Sequence, residues 1–201
     1  FLPTIQRLGI QIDFKCERAG FFPIGAGQIN ATIHPWTKQT KYTALDKGQL
    51  IDINGFAAAL NIPSDIADRE LEVLHNKLEL NNRKALNFKG ISQGNTAFVV
   101  LNYEHHQQVF SALGEMKKSE EKVAHDLAKE VKAYLATDVI ADEYLADQIL
   151  LPMALGKGGE FTAQIISEHT RTQANMIQKF IDCEITFTEL KENNWQIKVS
   201  V

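Results

Sequence analysis

The residue types best suited to chemistry lie between Ala141 and Asn175, a stretch that predicts a helix, a glycine turn, a strand and a second helix. Tyr144, Asp147 and Gln148 are spaced at i, i+3 and i+4. A helix therefore places a phenol, a carboxylate and an amide on one face, where they point outward together.

His169 is the second candidate group, because it stands beside Ser167 and Thr170 where the strand passes into the next helix. The first amides of a helix are unpaired donors, and the positive end of its dipole attracts phosphate. A neutral imidazole beside a bound phosphate is a competent nucleophile toward phosphorus. The alternative is that His169 only caps or packs the helix, and these residues alone favour that alternative.

Hydrophobic spacing predicts the elements that position these groups. Leu145 and Ile149 belong to the apolar stripe of the first helix, which Pro152 is expected to kink or end because proline removes a helical hydrogen bond. The glycine-rich segment that follows indicates a tight turn. Residues 160–166 alternate and predict a strand, and residues 171–181 predict the second helix.

The rest of the chain shows both helical and alternating periodicity. The further predicted helices span residues 1–8, 65–78 and 119–135. The further predicted strands span residues 10–16, 28–33, 50–60, 85–91, 96–103, 184–190 and 195–201. Residues 36–47 are polar and turn-rich, which favours a boundary there.

The composition is that of an ordinary globular protein, with 44% hydrophobic and 23% charged residues. The sequence has no run of about 18 apolar residues and no signal-peptide pattern. Cys16 and Cys183 belong to no metal spacing and are expected to be buried free thiols in a reducing compartment. We therefore predict a cytoplasmic protein with no membrane partner.

The net charge of −4 argues against a protein that coats nucleic acid by bulk electrostatic attraction. An enzyme of RNA ends needs only a local basic site. Four basic residues are available near the stretch around His169, and the alternative for each is a solvated surface charge. They are Lys117, Lys118, Lys157 and Arg171.

Other candidate sites are weaker. Trp36 and Trp195 could stack a base, although an aromatic residue in a strand more often packs in a core. The adjacent His105 and His106 lack the Cys or carboxylate arrangement that would complete a zinc site, so we predict no metal site. The sequence has no phosphate-binding loop and no dinucleotide-binding fingerprint.

Several segments together resemble a known family in their order and spacing. The C-terminal segments are EYLADQ at 143–148, LLPMAL at 150–155, GGEFT at 158–162 and SEH at 167–169. The block RAGFFPIGAGQI at 18–29 has a Gly-x-x-Pro pattern followed by a glycine-rich triplet with Ala26 at its centre. This combination is similar to RNA 3'-terminal phosphate cyclases, and the resemblance covers essentially the whole chain.

The resemblance implies an α+β fold of repeated units, each with two helices and a four-stranded sheet, together with a small inserted α/β domain. Residues 1–37 and 115–201 are then expected to form the C-terminal part of the large domain, and residues 38–114 the insert. Members of the family are longer at the N-terminus, so we expect the first repeats to be absent from this chain.

As the resemblance implies, the intact enzyme uses ATP and Mg²⁺ or Mn²⁺ to convert an RNA 3'-phosphate end to a 2',3'-cyclic phosphate. His169 is the implied nucleophile, which carries AMP as a phosphoramidate before AMP passes to the RNA end. The implied ATP-binding segment comprises Tyr144, Leu145, Ala146, Asp147 and Gln148.

Two alternatives stay open. A non-catalytic cyclase-like protein of ribosome assembly shares the fold and is expected to lack the nucleophilic histidine, so His169 with Asp147 and Gln148 favours the enzyme. An inactive fragment is the other alternative, because the absence of the first repeats would leave apolar faces uncovered. The sequence indicates neither an oligomeric state nor the ligands of a metal.

Overall fold

The computed structural model describes residues 1–115 and 118–201, which form a mixed α+β protein. The helices are α1 (Leu2–Arg7), α2 (Asp65–Leu78), α3 (Glu120–Leu135), α4 (Glu143–Gln148), α5 (Leu150–Leu155) and α6 (Glu168–Phe180). The strands are β1 (Ile12–Arg18), β2 (Gln28–Ile33), β3 (Tyr42–Ala44), β4 (Leu50–Leu60), β5 (Asn82–Phe88), β6 (Gly94–Tyr103), β7 (Gln107–Leu113), β8 (Gly159–Ala163), β9 (Glu184–Lys191) and β10 (Asn194–Ser200). Within this described part, no helix has the length and apolar character needed to cross a membrane.

The chain divides into two compact units. The first contains Phe1–Asp13, Thr32–Lys47 and Ala136–Val201, and the second contains Phe14–Ala31 and Gly48–Leu135.

The first unit is built on a four-stranded sheet with the order β3-β8-β10-β9. β3 is parallel to β8, and the β9–β10 hairpin joins β8 in antiparallel pairing. Alternation along the strands directs Phe161 and Ile197 toward α1, α4, α5 and α6, with which they form one buried core. The opposite face carries polar side chains, namely Thr43, Glu160, Thr186, Thr188, Gln196 and Lys198.

The second unit has a four-stranded sheet with the order β5-β4-β6-β7, in which only β4 and β5 are parallel. α2 and α3 pack against each other and on one face of this sheet, where Ala57, Val99 and Leu101 are buried beneath them. The opposite face carries larger apolar residues that are partly exposed, among them Phe56 and Phe98.

β1 and β2 form a separate two-stranded sheet whose side chains are exposed except for the half-buried Ile12. Cys16 is one of the exposed residues, so the prediction of a buried thiol at this position is wrong. The reason is that this short sheet has no helix layer over either face within the described residues. Cys183 is partly buried, and both thiols are free.

Strong periodicity predicted elements accurately, and weak periodicity did not. The strands at 28–33 and 50–60 are confirmed to the residue, and the helix at 119–135 begins one residue later, at Glu120. Residues 36–47 are not only a boundary, because they include β3, which is three residues long and bordered by polar loops. β7 was not predicted, since its first two residues are glutamines and the alternation only starts after them.

The compact units and the predicted domains are divided at different residues. α3 packs on α2 and β7, so it lies in the second unit, whereas the predicted large domain resumes at residue 115. The predicted domain boundaries and the predicted repeated units of the large domain remain predictions.

Candidate functional site

The first part of the site is the α4–α5 segment, whose ends follow from local sequence. Asp142 caps α4, since its carboxylate accepts a hydrogen bond from the Leu145 amide at 2.7 Å. The helix is interrupted at Ile149, and α5 begins at the next residue. Pro152 has no N–H with which to bond the Gln148 carbonyl, so the predicted kink is found where this bond is missing.

All five residues of the implied ATP-binding segment lie in α4, and burial divides them into two groups. Leu145 and Ala146 are buried in the core, so they hold α4 in place rather than face solvent. Tyr144 is 66% exposed, Gln148 is exposed and Asp147 is partly buried. The predicted outward face of a phenol, a carboxylate and an amide is therefore present.

His169 lies in the first turn of α6, because this helix begins at Glu168 and not at residue 171 as predicted. The Ser167 hydroxyl caps the helix and accepts a hydrogen bond from the Thr170 amide at 3.2 Å. The amides of Glu168 and His169 have no acceptor among the described residues. Two amide donors therefore remain for an anion beside an exposed imidazole.

Packing of α4 against α6 brings His169 and Asp147 to one open depression with a volume of about 590 Å³. Its other lining residues are Glu168, Thr172, Gln173 and Met176. The lining residues on α6 other than His169 were not predicted, because the predicted helix began at residue 171 and not at Glu168. From His169 onward, the spacing i, i+3, i+4 and i+7 identifies Thr172, Gln173 and Met176 as its neighbours on one helix face.

Electrostatics also couple the two candidate groups. Burial raises the pKa of the Asp147 carboxyl above its ordinary value, and the positive charge of His169 opposes this rise. The backbone amide of Gln148 also lowers the Asp147 pKa, whereas Glu143 raises it. Asp147 and His169 thus line the same depression and interact electrostatically.

The sequence profile described as RNA 3'-terminal phosphate cyclase matches residues 1–187. The chain belongs to the RNA 3'-terminal phosphate cyclase family. It is 36% identical to an RNA 3'-terminal phosphate cyclase of Koribacter versatilis over 203 aligned positions, which cover 100% of this chain and 57% of that protein. It is 30% identical to the RNA 3'-terminal phosphate cyclase of Pseudomonas fluorescens, with 98% of this chain and 58% of that protein covered.

Membership of the cyclase family confirms the resemblance seen in the motifs. The chain spans a little over half the length of these relatives.

The aromatic residues that could stack a base pack in this cyclase fold instead. Trp36 donates a hydrogen bond from Nε1 to the Leu8 carbonyl at 3.0 Å, and Trp195 packs against the core of the first unit. The Arg171 guanidinium lies over Trp195 and Phe187, with its Cζ atom 5.9 and 5.8 Å from the two ring centroids. The core alternative is therefore the correct one for both tryptophans.

Two of the other basic candidates, Lys118 and Lys157, are not among the residues that line the depression. Lys118 pairs with Glu115 and Asp126 at 3.3 and 3.1 Å and belongs to the second unit. Lys157 is exposed in the glycine turn. Lys117 lies outside the described residues. The side chains described as lining the depression include no lysine or arginine.

Proposed function

We propose that this chain carries the nucleotidyl-transfer site of an ATP-dependent RNA 3'-terminal phosphate cyclase, with His169 as the nucleophile. One observation carries the proposal. In this member of the family, the imidazole of His169 lies at the N-terminal end of α6 and lines the same depression as Asp147 of the predicted ATP-binding segment.

The arrangement suits substitution at the α-phosphorus of ATP. A neutral imidazole nitrogen of His169 forms a bond to phosphorus, the bond to the pyrophosphate oxygen breaks, and pyrophosphate leaves. The amides of Glu168 and His169 are positioned to donate to the phosphate oxygens, where negative charge has to be stabilised. His169 then holds AMP through a phosphoramidate bond.

Two further transfers complete the proposed reaction. The RNA 3'-phosphate displaces His169 and takes the AMP, which makes AMP the leaving group. The neighbouring 2'-hydroxyl then attacks the RNA phosphate, closes the 2',3'-cyclic ester and releases AMP. A histidine suits this sequence because a phosphoramidate passes its nucleotide on readily.

The outward face of α4 supplies the nucleotide contacts in this proposal. Asp147 and Gln148 hydrogen-bond the nucleotide, and Tyr144 packs against it or contacts the ribose. Leu145 and Ala146 contribute by fixing α4 in the core. The pairing of Asp147 with His169 at one depression is what links nucleotide binding to the nucleophile.

The divalent cation has no protein site that can be assigned. In residues 1–115 and 118–201, no group of three or more His, Cys, Asp or Glu side chains could hold a metal ion. Mg²⁺ bound to ATP is coordinated largely by phosphate oxygens and water. We therefore assign it no ligand in this chain and derive no step from it.

The test is labelling with ATP that carries the label on its α-phosphate, in Mg²⁺ or Mn²⁺, followed by a denaturing gel. We expect an acid-labile, base-stable AMP adduct that His169→Ala abolishes. His125→Ala is the matched control, since His125 is also exposed on a helix but lies in the second unit, and it should leave the adduct intact.

The same assay should be repeated with a protein extended to the length of the relatives, because this chain spans only part of their length. An adduct that appears only in the longer protein would mean that the first unit needs further chain to bind ATP. An adduct that persists in His169→Ala would contradict the assignment of His169 as the nucleophile. The absence of an adduct from both proteins would contradict the proposal and favour a non-catalytic role.

A further inference from the structure

The second unit exposes a sheet face that the proposed reaction does not use. On the face opposite α2 and α3, the strand register sets Lys84, Phe56, Phe98 and Ser111 in one row across β5, β4, β6 and β7. Lys84 and Ser111 are exposed, and the two phenylalanines are partly exposed. Phe56 and Phe98 are paired in register, so both aromatic side chains lie on this face in the same row as Lys84, and we call these two side chains the aromatic platform.

A chain of side-chain hydrogen bonds crosses the same face next to this row. Asn82 donates to Asn54 at 2.9 Å, and Asn54 donates to Asp52 at 2.7 Å. From the other side, Gln107 donates to Asn102 at 2.8 Å, and Asn102 donates to the same oxygen of Asp52 at 2.6 Å. This amide ladder spans all four strands.

The ladder fixes the direction in which its amides point. Each amide nitrogen of Asn and Gln carries two hydrogens, and the ladder uses one of them. The carboxylate of Asp52 is the only negative charge in the ladder, and the two hydrogen bonds that it accepts from amide groups stabilise this charge. The remaining N–H groups are oriented donors beside the aromatic platform.

The strand at the edge of this face is basic although the chain as a whole carries a net charge of −4. Residues 80–103 contain Arg83, Lys84 and Lys89 and no Asp or Glu. Arg83 faces α2, where it lies near Asp68 and Glu72. Lys84 and Lys89 are exposed and have no ion pair among the described residues, so their charges are available to an anionic partner.

We propose that this open sheet face binds single-stranded RNA. Phe56 and Phe98 stack bases, Lys84 contacts the backbone phosphate, and the amide ladder contacts base edges. Aromatic platforms beside basic edges bind single strands because every base has a stacking face and every nucleotide a negative phosphate. The identification of the single strand as RNA rests on the proposed function. The contacts that the face offers to a single strand do not depend on that function.

Binding of a short fluorescent single-stranded RNA with a 3'-phosphate tests the proposal by fluorescence anisotropy of the 201-residue chain. Replacing both Phe56 and Phe98 by Leu keeps apolar bulk but removes the stacking surfaces. We expect this change to weaken binding by about tenfold or more, the scale of one lost base–aromatic stack. Lys84→Gln should lower the slope of log affinity against log salt by about 0.7, the value for one contact to a single strand.

Lys198→Gln is the matched control, because Lys198 is exposed on the polar face of the other sheet and should change neither quantity. Thermal melting of each variant separates lost binding from lost folding, and Lys84→Gln tests the face without touching buried bulk. AMP labelling needs no RNA and the anisotropy measurement needs no ATP, so a failure of the proposed chemistry and a failure of this inference give different results.

Three results would overturn the inference. The first is that the folded chain fails to bind the RNA. The second is that the double Phe variant and Lys84→Gln bind it as tightly as the parent chain. The third is that an RNA duplex binds as tightly as the single strand. The first of these would leave the face as a surface for a protein partner. A single-stranded DNA that binds as well as RNA would support the face as a binding site and show that it does not read the 2'-hydroxyl.

Discussion

The two compact units differ in how well their residue types match local structural demands. In the first unit, the tight turn with φ of 59° and 136° is made by Gly158 and Gly159, and the buried carboxylate of Asp142 accepts a helix amide. In the second, Ala26 adopts φ of 61°. Glu70 in the second unit is fully buried, with one oxygen bonded to Asn95 and the other without a partner among the described residues.

This difference between the two units bears on where the functional surfaces of the protein lie. Proteins depart from local rules chiefly at functional or strained positions, where the cost is offset by something else. The first unit places glycine at both left-handed positions of its tight turn and an exposed histidine at a helix end, although the buried Tyr42 hydroxyl and Asn194 amide oxygen have no partner among the described residues. The second unit keeps a half-satisfied carboxylate, a left-handed alanine and an open apolar sheet face, and these departures agree with a binding role for that unit.

Gly158→Ala should have the largest effect. A Cβ atom at this position would collide with the Val199 carbonyl oxygen on β10, and the positive φ adds strain. We expect a loss of about 3 kcal/mol in the free energy of unfolding, from left-handed strain and overpacking together. Urea denaturation followed by circular dichroism measures this loss.

Gly25→Ala is the control for that change, since Gly25 has φ of 69° but no described atom lies within 4 Å of the added Cβ. It isolates backbone strain, which we expect to cost about 1 kcal/mol. Equal losses at the two glycines would mean that the contact with Val199 is relieved by a shift of β10 and that the turn of the first unit is not tightly packed.

Glu70→Gln should stabilise the protein in a pH-dependent way. Burial raises the pKa of Glu70 from 4.5 to about 7, the hydrogen bond from Asn95 opposes the rise, and nearby Glu120 adds to it. The native state therefore binds this proton more tightly than the unfolded chain, and stability falls as pH rises from about 4.5 to 7. At pH 8 the neutral glutamine should gain on the order of 2 kcal/mol, with little gain at pH 4.

Melting curves of both proteins across this pH range measure the effect. Glu72→Gln is the matched control, because Glu72 is exposed on the same helix and should leave the pH profile unchanged. Arg69 pairs with Glu120 beside Glu70, and this pair remains intact in both variants. A Glu70→Gln protein whose stability still falls over the same pH range would assign the titration to another group.

Asp142→Ala tests the partnered carboxylate of the first unit. The change removes the cap of α4 and should cost about 1–2 kcal/mol, whereas Asp142→Asn keeps an acceptor oxygen and should cost much less. Because α4 presents Asp147, we also expect weaker AMP labelling in the alanine variant. Equal stability of the two variants would show that the hydrogen bond to the Leu145 amide contributes little.

The residues show why some of this structure could be predicted and some could not. Leu50–Leu60 and the helix at Glu120–Leu135 carry long, regular patterns, and both were predicted to within a residue. β3 was not predicted because a strand of three residues is too short to show alternation. The start of α6 was predicted too late because the sequence allows a start after a Ser167 cap as well as one at residue 171. His169 and Asp147 could be named, but their meeting at one depression depends on the packing of α4 against α6.

The register of the second sheet lies equally beyond local pattern. The strand at 85–91 was placed three residues too late, since its true start, Asn82, is polar. The row that joins Lys84 to Phe56 and Phe98 exists only when β4 pairs with both β5 and β6. Sequence patterns predict elements, whereas a surface assembled from three strands requires their pairing.

Ala26→Gly should change the free energy of unfolding least. It also compares a left-handed turn position of the second unit directly with that of the first. Ala26 adopts nearly the same φ as Gly158. Glycine removes left-handed strain of about 1–2 kcal/mol but loses more entropy on folding, so we expect a net gain of only about 0.5 kcal/mol. A gain here, set against losses at Gly158 and Gly25, would show that the turn of the second unit tolerates strain that its sequence could relieve. A loss would instead mean that the alanine methyl group makes a packing contact of its own, and the departure from the rule would then need no functional explanation.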